Sequence, residues 1–401
     1  MIIPLEIKKR DRYIRQVLPF IRKPIIKALT GQRRVGKSYL LFQIMEHIRQ
    51  EDQSANIIYI NKEDLEFDFI QSAKELNDFI LSKINSDVKN YIFIDEIQEI
   101  TEFEKALRSL LLDQNNDIYV TGSNAKMLSG ELATYLSGRF IEIKVYSLSY
   151  PEFLYFHNLV DSMESYGLYA RFGGLPYLIN LNLTDDVANE YLKSITSTIV
   201  YRDVVSRYNL RNADFLEKLL RFLAQNIGSI FSAKNISDYL KSQHSTVSVN
   251  QIQTYVSYLA NAFILHRVER YDIIGKRLFS VGEKYYFENM GIRNVICGYK
   301  ITDRAKILEN IVYNHLLYQG YTVKTGALDT EEIDFICEKD SEKMYVQVSL
   351  RLESEKTIKR EIGNLLKIHD NYPKIIITED EFDGNTFEGI IYKSIRTFLM
   401  E

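Results

Sequence analysis

The sequence is poor in cysteine and contains no long apolar run. Among its 401 residues, the two cysteines are Cys297 and Cys337, and neither lies in a Cys-x-x-Cys or Cys/His-rich neighbourhood. We therefore expect no zinc site and no disulfide framework, which suits a reducing, cytoplasmic environment. A membrane-spanning helix needs about 18 consecutive apolar residues, and no such run is present. Residues 2–5 are too short an apolar stretch for a secretion signal, and they precede the basic residues.

Charge is distributed unevenly along the chain. The net charge is −4, with 46% hydrophobic and 26% charged residues, which is ordinary for a soluble protein. Residues 201–300 contain 14 Lys and Arg against 8 Asp and Glu, whereas residues 1–200 and 301–401 are net acidic. A basic segment between acidic ones favours an anionic partner, although a solvated basic face has the same composition.

Residues 31–38 have the pattern G-x-x-x-x-G-K-S, between a short apolar strand and the start of an apolar helix. In that setting the pattern indicates a phosphate-binding loop. Glycines let backbone N–H groups turn towards a phosphate, and the helix N-terminus adds partial positive charge. We expect Lys37 to reach the β- and γ-phosphates and Ser38 to bind Mg²⁺. The predicted nucleotide-binding residues are Gly31, Gln32, Arg33, Arg34, Val35, Gly36, Lys37, Ser38 and Tyr39.

A second apolar run, residues 91–94, ends in two acids, Asp95 and Glu96. Parallel strands buried on both faces have such continuous apolar runs, and ligands gather at their carboxyl ends. We predict that Asp95 holds Mg²⁺, directly or through water, and that Glu96 is the general base for the attacking water. An ordinary strand end can have the same pattern. Because this one follows a phosphate loop in the chain, the catalytic interpretation is favoured.

These motifs resemble the AAA+ superfamily, and in detail a bacterial and archaeal family of uncharacterised ATPases. The segments that carry the resemblance are 29–38, 93–98, 121–124, 137–139, 147–153 and 172–176. It covers nearly the whole chain. It implies ATP as the nucleotide, a choice over GTP that the residues alone do not make.

The resemblance also assigns residues around the γ-phosphate. AAA+ ATPases keep a sensor for the γ-phosphate and the lytic water after a third strand, and here Asn124 is the first candidate and Ser123 the second. A turn that closes the strand is the alternative. Asn61, at the end of another strand, is a candidate for restraining Glu96 until a partner binds, against a plain turn asparagine.

Arg139 lies just after the sensor strand. In related ATPases an arginine near this position acts on the nucleotide of a neighbouring subunit, where it stabilises charge that grows in the transition state. That role would require an oligomer. A surface arginine without such a role is an equal alternative.

The order of elements predicts an α/β protein of several domains. We expect an N-terminal helix over residues 1–23, a P-loop AAA+ core of three αβα layers over 24–150 and a helical lid over 151–205. A winged-helix domain is predicted over 206–298. Residues 299–401 resemble a restriction-endonuclease-like domain.

The winged-helix prediction rests on three helical segments followed by a hairpin. The helices are expected at 215–223, 232–240 and 248–259, and the hairpin is expected to join 263–268 to 277–280. Winged helices contact DNA with the later helix, and they also pack or bind proteins in AAA+ ATPases, so both roles stay open. The candidate groove contacts are Asn250, Gln251, Gln253 and Thr254, and the candidate phosphate contacts are Lys241, Lys276 and Arg277.

Nuclease cores of the last type use a Glu, an Asp and a later Glu-x-Lys to bind Mg²⁺ and activate water. Glu309 and Asp334 stand where the first two acids would, but Gln347 and Ser349 replace the acid and the lysine. We therefore expect no nuclease activity. A local basic face of Lys356, Lys359 and Arg360 leaves nucleic-acid or protein binding open, although the domain is net acidic.

The leading hypothesis is a cytoplasmic ATPase that uses ATP and Mg²⁺ to switch its C-terminal domains. Double-stranded DNA, bound through residues 206–298, is the first expected partner, and a protein is the second. A nucleotide-dependent regulator or scaffold with negligible turnover is the alternative, and an ATP-gated nuclease is a third option. No membrane association is expected.

Overall fold

The computed structural model describes residues 7–125, 136, 138–242, 247–275, 277–278, 282–328, 331–351, 362–381 and 386–401. The chain forms two compact units. The first is Met1–Tyr146 with the short segment Asn261–Phe263, and the second is Ser147–Ala260 with Ile264–Glu401. None of the helices in these described ranges is long and apolar enough to cross a membrane.

The first unit is built on a five-stranded parallel sheet in the order β2-β3-β4-β1-β5. Its strands are β1 Ile26–Thr30, β2 Asn56–Asn61, β3 Asn90–Asp95, β4 Asn116–Gly122 and β5 Phe140–Lys144. β1, β3 and β4 are buried along their whole length, as expected for central parallel strands. Because β4 lies between β1 and β3, the residues that follow it lie between the phosphate loop and the two acids. The predicted parallel α/β core is confirmed.

Helices pack around this sheet. They are α1 Asp11–Val17, α2 Lys37–Glu51, α3 Ala73–Leu81 and α4 Phe103–Leu110, with 3-10 turns at Leu18–Phe20, Leu65–Phe67 and Ile97–Glu99. α3 begins at a capping box in which Ser72 and Glu75 bond each other's backbone N–H. α3 and α4 bury Leu76, Ile80 and Leu107 against apolar residues of the strands.

The second unit contains most of the helices. They are α5 Tyr150–His157, α6 Met163–Phe172, α7 Asp185–Thr198, α8 Ala213–Gln225, α9 Ala233–Ser242, α10 Val249–Asn261, α11 Met290–Cys297, α12 Arg304–Gln319 and α13 Ile395–Met400, with 3-10 turns at Pro176–Asn180 and Ile301–Asp303 and a π-helix at Ile199–Ser206. Helix α6 is followed directly by Gly173 and Gly174. A Cβ on Gly174 would lie 2.4 Å from the Leu148 carbonyl oxygen, so the chain approach there requires glycine.

The second unit has two sheets. An eight-stranded sheet has the order β14-β15-β13-β12-β11-β10-β7-β8, and β6 and β9 form a two-stranded sheet. The strands are β6 Leu265–Val268, β7 Arg270–Asp272, β8 Arg277–Leu278, β9 Lys284–Phe287, β10 Thr322–Leu328, β11 Glu331–Lys339, β12 Glu342–Val348, β13 Lys374–Thr378, β14 Thr386–Phe387 and β15 Ile390–Ser394.

The predicted hairpin has the wrong strand partners. β6 pairs antiparallel with β9, and it is β7 that pairs with β8. Asp272 stabilises the turn that follows β7, because its carboxylate accepts the N–H groups of Ile274 at 3.1 Å and Gly275 at 2.8 Å. The three predicted helices correspond to α8, α9 and α10. Whether these elements constitute a winged helix stays a prediction.

Candidate nucleotide-binding site

The phosphate loop connects β1 to α2, as its pattern predicts. Gly31 has φ +153°, and a Cβ there would lie 2.0 Å from the carbonyl oxygen of Val145, so no other residue fits. Gly36, directly before α2, has φ +96° in the left-handed region. Both motif glycines are therefore required by local geometry.

Lys37 is folded back into the loop. Its side chain is 4% exposed, and its Nζ donates to the carbonyl oxygens of Gly31 and Gln32, both at 3.0 Å. The same Nζ lies 4.0 Å from Oε1 of Glu96. Two neutral acceptors of the ammonium are therefore backbone carbonyl oxygens, which phosphate oxygens can replace.

Asp95 ends β3 beside the start of α2. Its carboxylate accepts hydrogen bonds from the hydroxyls of Ser38 and Thr121, and the Tyr59 hydroxyl lies 3.4 Å from its Oδ2. Burial raises the pKa of Asp95, against the lowering effect of the Ser38 and Thr121 bonds. The two predicted Mg²⁺ ligands, Ser38 and Asp95, are thus brought together. A hydroxyl and a carboxylate fit Mg²⁺, which takes one or two protein oxygens and completes its shell with phosphate and water.

Glu96 has a left-handed backbone, with φ +56°. Its N–H donates to the Thr121 hydroxyl at 2.9 Å, and its Oε2 accepts the hydroxyl of Ser123 at 3.0 Å and the side-chain amide of Gln98. Burial alone would raise the pKa of Glu96, but the charge of Lys37, the charge of Arg33 and the hydrogen bonds hold it below its ordinary value. The group is therefore a carboxylate at neutral pH.

The structure separates the candidates for contact with Glu96. Ser123, the second sensor candidate, contacts it directly, whereas Asn124 is buried just after β4 without a described bond to it. Asn61 accepts the N–H of Glu63 at 3.0 Å, as a turn asparagine does, and Gln98 is the amide that contacts Glu96. Sequence reasoning missed Gln98, although its place two residues after the base was visible.

The remaining loop residues have different surroundings. Arg33 pairs with Glu63 at 2.9 Å, and Gln32 is buried, with its Nε2 donating to the Phe263 carbonyl oxygen at 3.0 Å. Tyr39 is 49% exposed. Val35 is buried, and its carbonyl oxygen accepts the guanidinium of Arg10 at 2.9 Å, which ties the segment before α1 to the loop. The side chains of the predicted residues Arg34 and Arg139 are also exposed.

The acids predicted from the nuclease resemblance lie in the second unit. Glu309, on α12, accepts the Tyr286 hydroxyl at 2.5 Å and pairs with the Lys284 ammonium at 3.3 Å, and the same ammonium lies 2.5 Å from Glu332. Burial alone would lower the pKa of Lys284, but the carboxylates of Glu309, Asp334 and Glu332 raise it. Lys284 is on β9, far along the chain from the position where the lysine is missing.

Asp334 and Gln347 face each other across β11 and β12. Oδ2 of Asp334 accepts the N–H of Val348 at 2.8 Å, and the N–H of Asp334 donates to Gln347 at 3.3 Å. Burial and the charge of Glu309 raise the pKa of Asp334 well above its ordinary value. Within the described ranges, no group of three or more His, Cys, Asp or Glu is arranged to hold a metal ion.

Several predicted basic contacts cannot be placed. Lys276, Lys356, Lys359 and Arg360 lie outside the described residues, and Arg277 is described only as part of β8. Lys241 is exposed on α9, with its Nζ 3.5 Å from Oδ1 of Asp238. On α10 the groove candidates Asn250, Gln253 and Thr254 are exposed and Gln251 is half-buried.

Comparisons with known proteins agree with this site. Residues 23–154 match the AAA domain family, and residues 163–303 match a domain of unknown function, DUF8612. The chain is 38% identical over 390 residues to an uncharacterized protein of Haemophilus influenzae, covering 95% of this chain and 96% of the relative. It is 30% identical over 403 residues to the uncharacterized protein MJ1544 of Methanocaldococcus jannaschii, covering 94% and 88%.

A solved structure supports the fold. The Walker-type ATPase paby2304 of Pyrococcus abyssi has a TM-score of 0.52 at 17% identity, covering 74% of this chain and 99% of that chain. The sheet order, the phosphate loop and the paired acids define an AAA-type ATPase domain. Since its identity to the Haemophilus relative extends over nearly its whole length, the chain belongs to the same family as that relative and MJ1544.

Proposed function

We propose that the protein binds ATP with Mg²⁺ and hydrolyses it at the site formed by the phosphate loop, Asp95 and Glu96. The observation that carries this proposal is the convergence of Lys37, Ser38, Asp95 and Glu96 in one buried place. Lys37 and Ser38 come from the start of α2 and the two acids from the end of β3. Such a site fits phosphoryl transfer, where positioning and charge stabilisation do most of the work.

Each of these residues has a role that its surroundings permit. Lys37 exchanges the carbonyl oxygens of Gly31 and Gln32 for oxygens of the β- and γ-phosphates. Ser38 and Asp95 would hold Mg²⁺, which would neutralise charge on the phosphates. Glu96, ionised at neutral pH, orients the attacking water and takes its proton. Asn124 as a γ-phosphate sensor and Arg139 as a finger towards a second copy complete the proposal.

The proposed switch uses the segment Asn261–Phe263. This segment belongs to the first unit, while the residues before and after it in the chain belong to the second. The Phe263 carbonyl oxygen accepts Gln32 of the phosphate loop, and the Asn261 carbonyl oxygen accepts the N–H of Ala125 at 2.8 Å, one residue after Asn124. We infer that loss of the γ-phosphate would shift the phosphate loop and, through these two hydrogen bonds, the segment Asn261–Phe263. That segment is covalently continuous with residues of the second unit.

DNA is the proposed partner of residues 206–298. The basic excess of this part of the chain and the exposed polar residues of α10 support it. A protein partner is the alternative, since exposed polar residues of a helix serve either purpose. The regulator with negligible turnover is the alternative to hydrolysis.

The test is ATP hydrolysis by the purified protein, alone and with double-stranded DNA, beside Lys37→Ala and Glu96→Gln. Turnover that DNA raises and both variants abolish is the expected result. Turnover that DNA leaves unchanged would remove DNA from the proposal and keep the ATPase. Tight ATP binding with no turnover under either condition would favour the regulator.

The nuclease-like domain is proposed to lack nuclease activity. Gln347 and Ser349 replace two of the catalytic groups, and Lys284 already pairs with Glu309 and Glu332. Incubation of plasmid DNA with the protein and Mg²⁺ or Mn²⁺ should leave the plasmid intact. Cleavage that is lost in Asp334→Ala would restore the ATP-gated nuclease.

A further inference from the structure

The carboxylate of Glu96 is held by two neighbouring side chains. Its Oε2 accepts the Ser123 hydroxyl at 3.0 Å and the Gln98 amide, and Nε2 of Gln98 also lies 3.4 Å from Oγ of Ser123. The three groups therefore form a closed set around one carboxylate oxygen. Ser123 follows β4, whereas Gln98 follows β3.

The backbone at Glu96 makes this set possible. Glu96 has φ +56° and ψ +52°, and the 3-10 turn Ile97–Glu99 begins directly after it. This turn brings Gln98 back onto the side chain of the residue two positions earlier. The Thr121 hydroxyl accepts the Glu96 N–H at 2.9 Å and fixes the start of the turn. A left-handed conformation is uncommon for a residue other than glycine, and at functional sites it accompanies a specific placement of side chains.

Gln98 has no role in the ATPase proposal so far. Its carbonyl oxygen is buried and has no hydrogen-bond partner among the described atoms, so its amide is positioned by the contact with Glu96 and Ser123 alone. A buried polar atom without a partner is unfavourable by about 1–3 kcal/mol, and it needs a reason to persist.

A general base works through a lone pair aimed at its water. In this structure Oε2 of Glu96 accepts two hydrogen bonds, and Nζ of Lys37 lies 4.0 Å from Oε1. We propose that Gln98 is a positioning residue that holds Glu96 in a restrained, poorly reactive arrangement, with Ser123 as the second point of attachment. Hydrolysis then requires Glu96 to leave Gln98 and turn to the water. The inference rests on the proposed ATPase activity.

The test compares Gln98→Ala and Gln98→Met with the wild type at saturating ATP and Mg²⁺. Methionine keeps most of the volume of glutamine but cannot donate the hydrogen bond to Glu96. An effect of lost packing would therefore change kcat in Gln98→Ala alone, whereas an effect of the lost restraint would change it in both variants. We expect kcat to rise about 3- to 10-fold in both, the equivalent of one lost hydrogen bond, with KM for ATP unchanged. Gln71→Ala, which removes an exposed amide in the same unit, is the control and should not change kcat.

Ser123→Ala provides an independent arm. Gln98 and Ser123 hold the same carboxylate oxygen, so their effects on kcat should not be independent. In the double variant Gln98→Ala with Ser123→Ala, the fold-change of kcat should be smaller than the product of the two single fold-changes. A kcat that falls or stays constant in both Gln98 variants, while the wild type hydrolyses ATP, would overturn the restraint and leave the ATPase intact. ATP binding without hydrolysis by the wild type and by every Gln98 variant would overturn both. Hydrolysis that appears only in the Gln98 variants would support both.

Discussion

Two of the buried lysines, Lys37 in the first unit and Lys284 in the second, show how differently the same charge can be used. Lys37 is 4% exposed and Lys284 is 3% exposed. Lys37 donates to two backbone carbonyl oxygens, and its Nζ lies 4.0 Å from Oε1 of Glu96. Lys284 contacts Glu332 at 2.5 Å and Glu309 at 3.3 Å.

The two lysines differ in the charge of the groups that accept their hydrogen bonds. The carbonyl oxygens that accept from Lys37 are neutral and do not cancel its charge, which suits the proposed role of the loop in phosphate binding. The carboxylates around Lys284 already have their counter-charge within the chain. A buried pair of this kind need not stabilise the fold much, but removal of one partner leaves the other buried and unpaired. We infer a ligand site at Lys37 and a structural site at Lys284.

Replacement of Lys284 should have the largest effect on folding. Lys284→Met should lower the free energy of unfolding by about 3–5 kcal/mol, because Glu309 and Glu332 lose their cation. Urea denaturation measures the change. Lys218→Met, at a surface pair in the same unit, is the control and should change stability by less than about 1 kcal/mol.

A second variant distinguishes charge from packing at Lys284. Lys284→Met combined with Glu309→Gln removes one of the unpaired charges and should recover part of the lost stability. If stability does not recover, the loss in Lys284→Met is caused by packing and not by the unpaired carboxylates.

Replacement of Lys37 or Glu96 should instead affect chemistry. Lys37→Met and Glu96→Gln should each lower kcat for ATP hydrolysis about 100-fold or more, since each removes a group that acts on the reacting atoms. Neither should lower the free energy of unfolding as much as Lys284→Met does. Glu66→Gln, an exposed acid of the same unit, is the control. A Lys37→Met protein as unstable as the Lys284 variant would contradict the comparison.

Gln32→Ala tests the route from the phosphate loop to Asn261–Phe263. The substitution removes the bond to the Phe263 carbonyl oxygen, worth about 1 kcal/mol, so amides of residues 261–264 should exchange hydrogen about five times faster. An ATP-dependent change of exchange there in the wild type should also disappear. Gln50→Ala, an exposed amide on α2, is the control. Equal exchange in wild type and variant would argue against the route.

Asp334→Asn should change how the stability of the protein depends on pH. Because folding raises the pKa of Asp334, its favourable contribution is complete below the pKa of the unfolded chain and is lost as the pH rises. Asparagine cannot ionise, so the variant should gain stability relative to the wild type between about pH 4 and about pH 7.5. Urea unfolding of variant and wild type at about pH 4 and about pH 7.5 measures the difference in the free energy of unfolding. The exposed substitution Asp214→Asn is the control. The opposite slope would mean that Lys284 keeps Asp334 ionised.

The phosphate loop could be predicted in detail from the sequence because its chemistry is local. Gly31, Gly36, Lys37 and Ser38 work through the backbone of one turn and the first residues of one helix. The strand before Asp95 was equally visible, because burial on both faces leaves a continuous apolar run. Helical periodicity located α8, α9 and α10 for the same reason: each pattern is contained within its own element.

Contacts between distant parts of the chain decided the rest. Apolar residues in β6 indicate a strand but not its partner, and only the tertiary structure pairs it with β9. The same applies to Lys284 beside Glu309, and to Ser123 and Gln98 around Glu96. Such contacts depend on which strands become neighbours, and the pattern of one element does not contain that information. The sequence by itself thus predicted the phosphate loop and the class of fold, while the tertiary structure decided which side chains lie beside Lys37, Glu96 and Lys284.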